Sequence, residues 1–192
     1  MSDNSGSRDN QQPAATTVEA YQQATLAIRS GHHRTHEAEH SEALFLTSSY
    51  VFENAELAAK HFNNELQGNV YSRYTNPTVR AFEERLAAME GGEQAVATSS
   101  GMAASLSVVM ALLQSGDHIL CSKDVFGSTR VMLNNYIVKF GVEVSYVSLT
   151  DLDAWQKAIQ PNTKMLFCET PSNPMSEIAD LEALAALSKK AG

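Results

Sequence analysis

From residue 93 onward, short apolar runs alternate with longer amphipathic ones, and a turn signal closes each pair. The runs at 94–98, 118–121, 142–147 and 163–168 have the length and near-continuous apolar character of strands buried on both faces. Each leads into a helix-length segment, at 102–113, 127–140, 151–159 and 180–191. Asp151 suits a helix cap, and Pro161 lies just past that helix's end. Four successive strand–helix units predict an α/β fold, a mostly parallel sheet with helices on both faces. Cys121 and Cys168 each close a predicted strand, where cysteine serves as a small apolar side chain, so both are expected to be reduced and structural.

The first 92 residues follow a looser pattern. Residues 1–17 are polar and free of aromatics, which predicts a disordered arm. A short helix is expected over 18–30, anchored by Leu26 and Ile28, followed by the histidine-rich GHHRTHEAEHSE and the extended ALFLTSSYVF. A helix over 54–66 is ended by Gly68, and NVYSRYTNPT then precedes a strong helix over 79–89. There Val79, Phe82, Leu86 and Met89 recur on one face, and Gly91-Gly92 is the stop.

Charge narrows the choice of partner. Fourteen basic against twenty-two acidic residues give −8, which argues against nucleic acid or an anionic membrane but leaves room for a small anion held locally. No apolar run approaches the roughly 18 residues of a membrane span, and the start lacks a signal peptide's apolar core, so a cytoplasmic protein is expected. His36 and His40 share i, i+4 spacing, with His32 and His33 nearby. Their surroundings are those of a solvated loop, and no metal site is assigned.

In an open parallel sheet, ligands lie beyond the carboxyl ends of the strands. Four loops qualify: TSSG at 98–101, SKDVFG at 122–127, SLTD at 148–151 and TPSNP at 170–174. In the first, Gly101 permits close backbone approach, and the unpaired amides around Gly101 and Met102 suit a phosphate; a plain helix cap is the other reading. Neither G-x-x-x-x-G-K-[ST] nor G-x-G-x-x-G occurs, which removes the best support for a nucleoside triphosphatase or a dinucleotide enzyme. Phe126 could stack on a flat ligand or simply cover the top of the sheet. Asn173 stands between two prolines that would aim its amide. Tyr71 and Arg73, at i, i+2 on one side of an extended segment, could close on one phosphate, or be a packed tyrosine beside a surface arginine.

YSRYTNPT at 71–78, SSGMAA at 99–104, DVFGST at 124–129 and ETPSNP at 169–174, in this order and spacing, resemble the Cys/Met-metabolism family of pyridoxal-phosphate enzymes. The resemblance runs from about Thr25 to Gly192. It implies a type I PLP-dependent transferase fold, with 18–78 as an arm contributing to the neighbouring subunit's site and 79–192 as part of the cofactor-binding domain. It implies pyridoxal 5'-phosphate as cofactor, a phosphate held by the amides of Gly101 and Met102 with Ser100 at the border, and stacking by Phe126, where most relatives carry tyrosine. It also implies a bond from Asn173 to the cofactor's 3'-oxygen. Tyr71 and Arg73 would reach the phosphate of a neighbouring subunit, which makes a homodimer or homotetramer the expected assembly.

The activity implied is γ-replacement in methionine biosynthesis, from O-succinyl-L-homoserine and sulfide to L-homocysteine and succinate. Addition of cysteine instead of sulfide, γ-elimination from methionine, and use of the O-acetyl ester share the same motifs. The family's Schiff-base lysine and its ring-nitrogen aspartate match no position here, and no catalytic residue is assigned. Of the seven lysines only Lys123 falls at a ligand-facing loop, among hydrated neighbours. The closing DLEALAALSKKAG, with Lys189 and Lys190 in the last turn and Gly192 as a left-handed cap, is a crossover helix without its following strand. The chain is therefore expected to be an N-terminal part of a longer protein, inactive alone; a non-catalytic phosphate-binding or dimerisation module is the reading from another class.

Overall fold

A computed structural model describes residues 21–191. The expected disordered arm at 1–17 and the Gly192 cap lie outside the described residues. The described residues form two compact units, divided between Ala97 and Thr98.

In the first unit, helices α1 (Gln23–Arg29), α2 (Ala55–Phe62) and α3 (Pro77–Glu90) are joined by irregular segments with turns. Leu26 is buried while Ile28, its expected companion anchor, is exposed. Gly31 stands at φ +71, and a Cβ there would come within 2.3 Å of the Ala81 carbonyl oxygen on α3, so only glycine lets these backbones approach. Arg85 then ties the same loop down, donating to the Ser30 carbonyl at 2.9 Å and pairing with Glu42. The apolar stripe on α3 is not the packed face: Val79, Phe82 and Leu86 are exposed, and Ala87 is the buried position.

Helix α2 stops at Phe62 rather than running to 66. Asn64 takes a left-handed φ of 59, which ends the helical hydrogen bonding before Gly68 is reached. Gly68 has another use, because a Cβ there would meet the His61 ring at 2.6 Å.

The NPT of YSRYTNPT is a helix cap. Asn76 Oδ1 accepts from the N–H of Thr78 (2.8 Å) and Val79 (3.4 Å), with Pro77 in the first helical position. Its amide donates to the Phe45 carbonyl (3.0 Å), and the Thr78 hydroxyl accepts the Phe45 N–H (2.9 Å). This pins the extended 45–49 segment, which also bridges Ser49 to Tyr71.

The second unit holds a three-stranded, all-parallel sheet in the order β2–β1–β3: β1 (His118–Ser122), β2 (Glu143–Val147) and β3 (Thr163–Phe167). The central strand β1 is buried at all five positions. Its side chains alternate between two cores, as strand pleating requires. Ile119 and Cys121 pack with Val109 of α4 (Gly101–Leu112) and with Met132 and Leu133 of α5 (Gly127–Asn135). Leu120 packs with Trp155 of α6 (Leu152–Ala158) and Leu184 of α7 (Leu181–Ala191) on the other face. Asp151 caps α6 as expected, accepting from the Ala154 N–H at 2.9 Å.

Two expectations fail here. Residues 94–98 form no strand; Val96 is 83% exposed, and the Ala97 N–H goes to the Glu83 carboxylate (2.7 Å) instead of to a ladder. A parallel strand needs a neighbour to take its backbone groups, and this segment has none among the described residues. The helix expected over 127–140 breaks at Tyr136 (φ −118, ψ −54) into α5 and a 3-10 turn, Ile137–Phe140, closed by Gly141 at φ 83.

Candidate active site

The topology singles out one end of the sheet. From β1 the chain crosses to β2 by way of α5, then returns over the other face through α6 to β3 on the far side of β1. The connections part between β1 and β3, and the crevice beyond those two carboxyl ends is where such sheets hold ligands. A cleft of about 480 Å³ opens there, with Ser100, Gly101, Met102, Phe126 and Glu169 among the residues on its wall.

Ser100 is the N-cap of α4. Its hydroxyl accepts the Ala103 N–H at 3.1 Å and its carbonyl the Ala104 N–H at 3.0 Å, so two first-turn donors are used internally. The N–H groups of Gly101 and Met102 find no acceptor among the described residues. Gly101 is exposed, and a Cβ on it would meet nothing within 4 Å. Two free amides on an open helix end, with the helix dipole behind them, can receive a phosphate.

Phe126 reaches the same cleft from the loop between β1 and α5 and is 45% exposed, so a flat face remains available for stacking. Thr129, one turn into α5, directs its hydroxyl to the Met102 thioether at 3.8 Å. Cys168 and Glu169 come from the end of β3. Both cysteines are free thiols: burial pushes the Cys168 thiol up and carries Cys121 to about 12, so neither is a thiolate near neutrality.

Four of the seven residues singled out from sequence, Ser100, Gly101, Met102 and Phe126, thus share one cleft. Asn173 is exposed on the following loop and is not part of its wall. Tyr71 and Arg73 lie in the first unit, where the Arg73 guanidinium stacks on Tyr74 (4.7 Å) and Tyr71 (5.8 Å) and donates to the Tyr74 hydroxyl at 3.0 Å. Tyr74 was not picked out from sequence, although an aromatic next to an arginine is a readable cue. Lys123 is exposed, its N–H is used by the Val147 carbonyl (2.8 Å), and none of the lysines borders the cleft. Among the histidines, His33 pairs with Glu84 at 2.5 Å and His36 with Glu37 at 3.7 Å.

An open parallel sheet with a free helix end and a half-exposed aromatic at its switch point is an arrangement with room and donors for a flat, phosphorylated ligand. Comparison with known proteins agrees, and gives the family: the chain belongs to the Cys/Met metabolism PLP-dependent enzymes, which it matches over residues 24–192. It is 58% identical to an O-succinylhomoserine sulfhydrylase of Pseudomonas aeruginosa over 88% of its length, and 38% identical to an L-methionine gamma-lyase of Fusobacterium nucleatum over 87%. A Campylobacter jejuni structure, named an O-acetylhomoserine (thiol)-lyase and carrying N'-pyridoxyl-lysine-5'-monophosphate, superposes with a TM-score of 0.80 at 35% identity over 89% of this chain. The chain spans 42% of the length of each of these three proteins. No helix among the described residues is long and apolar enough to cross a membrane.

Proposed function

We propose that the chain supplies the phosphate and ring subsites of a pyridoxal-phosphate enzyme that converts O-succinyl-L-homoserine and sulfide to L-homocysteine and succinate. The observation that carries the cofactor half of this reading is the open N-terminus of α4 beside Phe126 on one cleft wall. The substrate half rests on the 58% identity to the P. aeruginosa sulfhydrylase.

When bound, pyridoxal phosphate supplies an electron sink for the carbons of an amino-acid substrate. The chain's own residues do the holding. Gly101 and Met102 donate their amides to the phosphate, while the Ser100 hydroxyl, already engaged with Ala103, keeps that turn in shape. Phe126 covers one ring face and excludes water from it, and having no hydroxyl it moves no proton. Asn173 would donate to the 3'-oxygen. Tyr71 and Arg73 would close on the phosphate in a neighbouring subunit of a homodimer or homotetramer, with Tyr74 stiffening the arginine.

The test has two parts. Titration with pyridoxal 5'-phosphate, with pyridoxal as a control, measures whether the phosphate subsite works. Homocysteine formation, comparing O-succinyl with O-acetyl-L-homoserine and sulfide with cysteine, measures the chemistry. Preference for cysteine would make it a cystathionine γ-synthase, and release of methanethiol from methionine would make it a γ-lyase. Pyridoxal binding as well as its phosphate does would remove the α4 site from the argument.

A further inference from the structure

Glu169 stands on the cleft wall without a role in the reading above. Its side chain reaches across from the end of β3 to the loop after β1, where Oε2 accepts the main-chain N–H of Phe126 at 2.7 Å. Phe126 is the N-cap residue of α5, and its hydrocarbon side chain makes no capping hydrogen bond. The position that carries the ring therefore depends on a carboxylate 43 residues away. Among the described residues, Glu169 is also the sole carboxylate bordering the cleft.

We propose that Glu169 is a positioning residue: by clamping the Phe126 N–H to the end of β3, it sets where the Phe126 ring stands over the cleft. The clamp spans β1 and β3, the two strands whose carboxyl ends bound the crevice, so it fixes the ring relative to the floor and not only relative to its own helix. An aromatic on a loop stacks well only when its Cα is held, because ring offset and tilt decide the strength of the contact. This inference rests on Phe126 being the ring-stacking residue.

A simple structural role and a positioning role predict different results. The variants are Glu169→Gln, whose amide oxygen can still accept, Glu169→Ala, Phe126→Ala and the double variant Glu169→Ala/Phe126→Ala. Hydrogen exchange at the Phe126 amide, measured without cofactor, should quicken at least tenfold in Glu169→Ala and stay near wild type in Glu169→Gln. Affinity for pyridoxal 5'-phosphate should fall about tenfold in Glu169→Ala, with inorganic phosphate bound at least as tightly as before. In the Phe126→Ala background, Glu169→Ala should add less than about twofold, since the ring it positions is gone.

Equal weakening of phosphate and pyridoxal phosphate, a full Glu169→Ala effect without the Phe126 ring, or failure of Glu169→Gln to protect the amide would each overturn the proposal. If the wild-type chain binds no pyridoxal phosphate, the cofactor reading fails separately. Exchange at Phe126 then decides the clamp by itself, with an unchanged rate in Glu169→Ala refuting it.

Discussion

Replacing Gly101 with proline removes one of the two amide donors assigned to the proposed phosphate subsite. Position 101 is the first residue of α4, where proline is the favoured helix starter because its missing N–H has no intrahelical partner. Ser100 before it lies at φ −167, ψ 164, extended as a residue preceding proline must be. A Cβ at 101 meets nothing within 4 Å. The fold should therefore accept the change and gain about 0.5–1 kcal/mol from a stiffer unfolded chain. The ligand loses one amide donor to a charged oxygen, worth about 1.5–3 kcal/mol, or roughly a 10- to 100-fold weaker pyridoxal 5'-phosphate complex. Fluorescence titration with pyridoxal phosphate and with pyridoxal, alongside thermal unfolding, separates the two effects. An unfolding midpoint at or above wild type with unaltered pyridoxal phosphate affinity would refute the assignment of this amide. A lowered midpoint would refute the reading of the α4 end.

Three other perturbations test the frame around the site. Gly31→Ala combines a left-handed φ with a 2.3 Å approach to the Ala81 oxygen and should cost clearly more than Gly91→Ala, where φ is +65 but the space is open and about 1–2 kcal/mol is expected; denaturant midpoints give the ranking. Asn76→Ala removes the α3 cap and the anchor on Phe45, and should cost about 1–2 kcal/mol while leaving the second unit's sheet intact by amide exchange. His118 is fully buried, with Nδ1 2.7 Å from the Thr163 hydroxyl, and burial lowers its pKa from the ordinary 6.5 against a smaller opposing pull from Glu143. The unfolded chain therefore takes up the proton first. Stability from this group is complete above pH 6.5 and drains away as pH falls toward the depressed value, so His118→Gln should flatten the pH dependence of unfolding in that window.

What could be read from the sequence follows the range of the interactions involved. The strands at 118, 142 and 163 and the cap at Asp151 are local patterns, and they stand where expected. The 94–98 run has a strand's composition too, but strand formation needs a ladder partner, and a run of Ala95-Val96-Ala97 says nothing about who that partner is. The α3 stripe of Val79, Phe82 and Leu86 misleads for a related reason: periodicity gives a face, not what covers it. In YSRYTNPT the ligand-like reading of the first half left unnoticed that Asn76 caps α3 and that Thr78 holds Phe45, although N-P-T before a helix is a legible start signal.

The site divides in the same way. The helix start at Ser100, Gly101 and Met102 was legible because a helix N-terminus is a local object, whereas the Glu169 bond to Phe126 exists only because β3 lies next to β1, a neighbour relation that no residue pattern states. That bond changes the electrostatics of the cleft. Two helix N-termini, those of α4 and α5, border it, and each favours negative charge. At α5 the charge is already supplied by Glu169, which repels a second anion; at α4 the end is open. The pattern supports one orientation for a phosphorylated ring, with the phosphate on the Gly101–Met102 amides and the ring toward Phe126. Glu169→Gln removes the charge and keeps the hydrogen bond, so it should leave pyridoxal binding nearly constant while letting inorganic phosphate bind more tightly. If phosphate affinity does not rise, Glu169 acts on the ligand through Phe126 alone.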